Sequence, residues 1–239
     1  MTDTRYLARP RSAEGAPPGH ATDNLVAGLS GLTFLVLLVF QNLVKAVLSP
    51  PNDAGPADLD RLAHADAWTV HLFAATYVIG FLALLLFAAG LSRWCAARDE
   101  RAELWGRLGQ SSAVVVAVLF ALVNVAQLTL VADRDLLAGD RGLQHLIWTL
   151  HNAVFTLNMV AIGGMLLGLG RAAHLAGLTP RWMGPVAPVG CLLLCLAVVP
   201  AVAEIHGSPL LGVGLLGFLS WMLLLAVAGL GLLRRGGQP

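Results

Sequence analysis

Six stretches of the chain, residues 24–44, 67–92, 108–132, 142–170, 182–203 and 205–233, carry no Asp, Glu, Lys or Arg, and apolar residues fill most of each. A bilayer core about 30 Å thick needs roughly 20 apolar helical residues at about 1.5 Å each. Every stretch reaches that length. The pattern therefore predicts six transmembrane helices, over about residues 25–48, 67–91, 110–132, 144–170, 183–203 and 209–233. The expected fold class is all-α, a polytopic six-helix transmembrane bundle forming one domain over residues 24–233. Residues 1–23, rich in Pro, Gly, Ala and Arg without apolar periodicity, read as a disordered cytoplasmic tail, and residues 234–239 as a short second tail.

Between the spans, Pro50-Pro51-Asn52-Asp53-Ala54-Gly55-Pro56 breaks the chain. Residues 57–64 then read as a short helix on the outer surface, with no breaker before the second span. Residues 93–107 read as an interfacial helix. Trp94 and Trp105 stand eleven apart, so both indoles share a face at headgroup level. Glycines mark helix contacts: Gly28 and Gly31 in the first span, Gly164 and Gly168 in the fourth, and Gly212, Gly214, Gly217, Gly229 and Gly231 in the sixth. No repeat relates the first three spans to the last three.

Composition agrees with the pattern: 57% of residues are apolar and 12% charged, against about 25% charged in globular domains. The charge-free stretches hold 152 of the 239 residues, so all 29 charged residues fall in the other 87. This excludes soluble enzymes, nucleic-acid binders and secreted disulfide scaffolds. The net charge of +1 names no partner, but the positions of the charges set an orientation. With the N-terminus inside, Arg5, Arg9, Arg11, Arg93, Arg98, Arg101, Arg107, Arg171, Arg181, Arg234 and Arg235 are cytoplasmic. Lys45, Arg61, Arg134 and Arg141 are outside. The positive-inside rule thus gives an N-in/C-in topology. The segment before the first span does not run straight from a basic start into a short apolar core, as a signal peptide would, and Ser49-Pro50-Pro51 offers no cleavage site, so the first helix is expected to be a retained anchor. Cys95 falls in a cytoplasmic loop, and Cys191 and Cys195 share one helix, so no disulfide is expected.

Familiar catalytic motifs are missing. Gly212-Val213-Gly214-Leu215-Leu216-Gly217 matches a dinucleotide fingerprint in letters only; it lies inside an apolar span and reads as a packing motif. The polar residues that remain gather toward the outer ends of the spans. Gln41, Asn42 and Lys45 lie in the first, His71 in the second, Asn124 and Gln127 in the third, His145, His151 and Asn152 in the fourth, and Glu204 and His206 before the sixth. At 100° per residue, His145, Thr149, Asn152 and Thr156 form one stripe of the fourth helix, and His151 and Asn158 a second face. A helix with two polar faces belongs in the middle of a bundle. Together these residues outline a polar pocket open to the outside.

Three readings of the pocket stand side by side. His71 and His151 could ligate a b-type haem. His64, His71, His145, His151, Glu204 and His206 could supply a divalent metal site, of which His71, His151, Glu204 and His206 are the core. Or the cluster hydrogen-bonds within itself and receives a small ligand.

The turn after the fourth span reads Gly168-Leu169-Gly170-Arg171-Ala172-Ala173-His174-Leu175-Ala176-Gly177-Leu178-Thr179-Pro180-Arg181-Trp182-Met183-Gly184. Over about the last 90 residues, with a fainter echo in the Pro-Pro-Asn-Asp loop, the chain resembles a family of uncharacterised bacterial six-span membrane proteins with a Pro-Arg-Trp-x-Gly turn. The resemblance implies about six spans in a bacterial plasma membrane and carries no activity. The expectation is a non-enzymatic integral membrane protein that binds or senses a small ligand or serves a membrane assembly. Its partners would be the lipid bilayer and another membrane protein or a second copy, with no nucleic acid. The alternatives are a haem- or metal-binding redox protein and a small transporter.

Overall fold

A computed structural model of the chain describes residues 19–48, 50–63, 67–137, 139–200 and 211–236. Among these residues the fold is all-helical, with no strand: α1 Gly19–Leu48, α2 Pro56–Ala63, α3 Ala67–Ala96, α4 Arg101–Ala132, α5 Arg134–Leu137, α6 Arg141–Leu175, α7 Met183–Val198 and α8 Leu211–Gly236. Five of them, α1, α3, α4, α6 and α8, are long and apolar enough to cross a membrane. The fifth expected span, over residues 183–203, is shorter. Helix α7 has 16 residues, about 24 Å at 1.5 Å each, and gives way to a turn at Val199–Pro200. Val199 still has helical backbone angles, φ −53° and ψ −46°, and the hydrogen-bond ladder stops at Pro200, which has no N–H to donate.

The long helices neighbour one another in chain order, and α8 closes the ring against α1, while α3, α6 and α8 also touch across the middle. Neighbouring long helices pack antiparallel: Gly109, early in α4, meets Leu169, late in α6, and Gly217, early in α8, meets Leu194, late in α7. The N-terminal Gly28 of α1 faces Gly229 near the end of α8, and Gly90 near the end of α3 faces Ala27. One end of the bundle thereby collects Arg93, Arg98, Arg101, Arg107, Arg171, Arg181, Arg234 and Arg235; the other carries Lys45, α2 and the loop before it. Helix α6 touches more neighbours than any other and buries the largest share of its residues.

Glycine contacts account for much of this packing. Gly28, Gly31, Gly164, Gly168, Gly214, Gly217, Gly229 and Gly231 all meet another helix or loop closely, as expected without a hydrophobic drive between helices. Gly212 does not: among the described residues nothing lies within 4 Å of where its side chain would stand.

Helix ends differ from the apolar stretches in physically readable ways. Residues Gly19–Asp23, expected in the tail, already belong to α1, and Arg234–Gly236 extend α8; residues 1–18 and 237–239 lie outside the described residues. Charged residues end an apolar window without ending a helix. Helix α6 closes in a Schellman motif: Leu178 N donates to Ala173 O and Gly177 N to His174 O, with Gly177 at φ +68°. Its start is capped by Asp140, whose carboxylate accepts from Leu143 N at 3.0 Å.

The expected interfacial helix over 93–107 does not form. A turn at Ala97–Glu100 divides it, because Asp99 accepts from the Arg101 backbone N–H at 2.9 Å and starts a new helix. The Arg101 side chain bonds the same carboxylate and holds Asp99 below the usual carboxylate range. Trp94 is consequently buried at the end of α3, with the Arg98 guanidinium 3.6 Å and that of Arg235 5.0 Å from its ring centroid, while Trp105 sits half-buried on α4. Cys95, expected in a loop, is buried in the last turn of α3. The three cysteines are free. Trp182 of the Pro180-Arg181-Trp182 turn is half exposed.

Candidate functional site

At the end opposite the arginines, a second, small core holds the surface elements down. Leu59 and Leu62 of α2, with Ala54 before it, pack on Leu130, Leu137 and Trp148. Two hydrogen bonds fasten the preceding loop to α6: Trp148 Nε1 donates to Pro51 O and Asn152 Nδ2 to Asn52 O, both at 3.0 Å. Trp148→Phe removes one of these donors and should lower thermal stability in detergent by about 1 kcal/mol.

Beneath this lid His151 is almost completely buried. Its ring stacks on Trp148 at 4.4 Å and 8°. Gln127 Nε2 lies 3.0 Å from its Nε2, and Asn152 Oδ1 lies 3.0 Å from its Nδ1. An amide nitrogen can only donate and a carbonyl oxygen can only accept, so this arrangement assigns the neutral Nδ1–H tautomer with both ring nitrogens satisfied. Ligation of a haem iron or a metal through Nε2 would require the Gln127 bond to break.

The first-span residues stand beside this group. Gln41 Nε2 donates to Thr76 Oγ1 at 3.0 Å, tying α1 to α3, and Asn42 Nδ2 donates to Leu38 O at 2.8 Å. Lys45 Nζ lies 4.1 Å from the centroid of the Phe155 ring, a cation–π contact. Asn42 and Phe155 line a cavity of about 320 Å³ with Met159, Leu194, Leu215 and Phe218. A narrow slot of about 20 Å³ shares Asn42, Phe155 and Phe218 with it and is lined also by Gln41, Lys45, Tyr77 and Phe120. The cavity wall is almost wholly apolar and aromatic, and among the described residues Lys45 is the one cation lining either space.

The structure thus brings together Gln41, Asn42, Lys45, Gln127, His151 and Asn152 at one end of the bundle. Asn124 is buried one turn of α4 before Gln127. His145 is exposed near the start of α6, away from the cavity lining. The side chain of His71, and His64, Glu204 and His206 entirely, lie outside the described residues. Among the described residues, no three His, Cys, Asp or Glu side chains come together as metal ligands. The aromatic wall of Tyr77, Phe120, Phe155 and Phe218 was not among the expected site residues. Phe155 lies one turn beyond His151 on α6, and a search confined to polar residues passes over it.

Several buried side-chain polar atoms among the described residues lack a partner, and Asn158 alone contributes two of them. Asn158, fully buried on α6, has neither amide atom hydrogen-bonded. A buried amide without partners costs stability, and an apolar side chain of similar shape relieves that cost. Asn158→Leu should therefore raise thermal stability by about 1 kcal/mol, read from the melting curve in detergent.

Comparison of the chain with protein-family models, with curated proteins and with solved structures finds no match in any of the three.

Proposed function

We propose that the protein crosses a bacterial plasma membrane six times, N-in/C-in, and binds an amphipathic organic anion in its outward-facing cavity without transforming it. The observation that carries this reading is Lys45. Its ammonium faces an aromatic ring beside an apolar cavity, and among the described residues it has no carboxylate partner. A cation within a membrane protein is costly unless paired, so it marks a place for a negative group. The aromatic and aliphatic wall suits an apolar body, and about 320 Å³ falls at the small end of ligand pockets, roughly 300–1,000 Å³. The ligand class is an aryl or medium-chain carboxylate. Binding without chemistry is favoured because the one histidine placed at the site among the described residues has both nitrogens engaged by neutral amides.

The six-span count includes the short α7, and the orientation rests on the arginines at one end of the bundle. The bacterial plasma membrane rests on the resemblance of the Pro180-Arg181-Trp182-x-Gly184 turn. Reporter fusions at Asn52, Ala97 and Gly139 test the orientation, and an external signal from Ala97 overturns it.

Binding is tested by titrating 4-phenylbutyrate into the purified protein in nanodiscs. One site per chain is expected, with loss of binding in Leu215→Trp, where a large ring at an exposed lining position fills the mouth. Binding unaffected by that substitution, or no binding to the wild type, overturns the proposal.

A further inference from the structure

At the arginine-rich end, a separate groove of about 500 Å³ runs between α1, α3 and α4. Its floor includes Val26 and Leu86, both about half exposed. Its rim carries two acid–base pairs. Asp23 and Arg93 bridge α1 to α3 at 2.8 Å, and Glu103 pairs with Arg107 one turn along α4. All four side chains keep roughly half or more of their surface exposed. Exposed pairs of this kind are held weakly, so a ligand offering better partners exchanges with them at small cost. The groove therefore presents an apolar floor along the spans and, at their charged ends, two cations alternating with two carboxylates.

We propose that this groove holds one zwitterionic phospholipid with a primary ammonium, a phosphoethanolamine lipid. Its phosphate lies between Arg93 and Arg107, its ammonium reaches Asp23 and Glu103, and an acyl chain covers Val26 and Leu86. Charge complementarity selects this headgroup. A guanidinium meets a phosphate oxygen pair with matched donors. A primary ammonium donates hydrogen bonds to both carboxylates, whereas a choline has no N–H to donate. An anionic glycerol headgroup places no cation against the carboxylates and leaves them facing a phosphate.

The test is native mass spectrometry of the full chain released from detergent micelles doped with phosphatidylethanolamine, phosphatidylcholine or phosphatidylglycerol of identical acyl chains. The wild type should retain the ethanolamine lipid about tenfold more than either other. D23N/E103Q should erase the preference over choline, and R93Q/R107Q should reduce retention of all three. Equal retention by the wild type, a preference for the glycerol lipid, or an ethanolamine preference that survives D23N/E103Q would each overturn the proposal. The wild-type comparison alone decides it if either double variant fails to fold.

Discussion

Lys45→Met should lower the affinity for 4-phenylbutyrate about 30-fold, close to 2 kcal/mol, while leaving the melting temperature unchanged or raised. The substitution keeps an unbranched side chain of similar length against Phe155, so the wall of the site is preserved. What it removes is, among the described residues, the only cation lining the cavity and its slot. A charge-assisted bond in a weakly polar surrounding is worth about 1.5–3 kcal/mol. In the unliganded protein, the cation–π interaction of Lys45 with Phe155 contributes about 1–2 kcal/mol. Its removal is offset by relieving a membrane-embedded bundle of a charge. The two readouts therefore separate: affinity falls and stability does not. An equal fall in both would make Lys45 a structural residue.

The largest effect on folding should come from Gly168→Leu. Gly168 of α6 faces Gly109 of α4, and a Cβ there would stand 2.6 Å from Gly109 Cα and 2.8 Å from Trp105 O. These are backbone atoms, which cannot rotate away. The helix propensity gained by replacing glycine is about 1 kcal/mol, whereas overpacking of this kind costs about 3 kcal/mol or more. The clash wins, and thermal unfolding in detergent should show a net loss of at least about 2 kcal/mol. Gly139→Ala, with nothing within 4 Å, supplies the contrast and should be close to neutral.

Much of this fold was legible because charge is so unevenly spread. The charge-free windows located every long helix, since a bilayer admits few charges in a span. They could not give the helix ends: Arg93 remains helical after the second apolar run has stopped, and Arg101 is helical before the third begins. The Trp94 and Trp105 spacing misled for a related reason. Periodicity alone does not show that a single aspartate, Asp99, begins a new helix between them. In the site, the two polar faces of α6 pointed to a central helix, and Asn152, Thr156, His151 and Asn158 are all buried. Their division of labour was not legible. That His151 bonds Gln127 of α4, and that Trp148 and Asn152 reach the carbonyls of Pro51 and Asn52 about a hundred residues earlier, depends on tertiary contacts no local spacing encodes. The aromatic wall was missed because phenylalanine in an apolar span carries no signal that separates a cavity lining from a lipid-facing surface.

The most direct measurement is a paired titration of 4-phenylbutyrate and 4-phenylbutanol into the same purified wild-type protein in nanodiscs. The two share the apolar body and differ in the carboxylate that Lys45 is proposed to meet. Binding of the carboxylate at least about tenfold tighter than the alcohol is the predicted result. Equal affinities, or tighter binding of the alcohol, would contradict it.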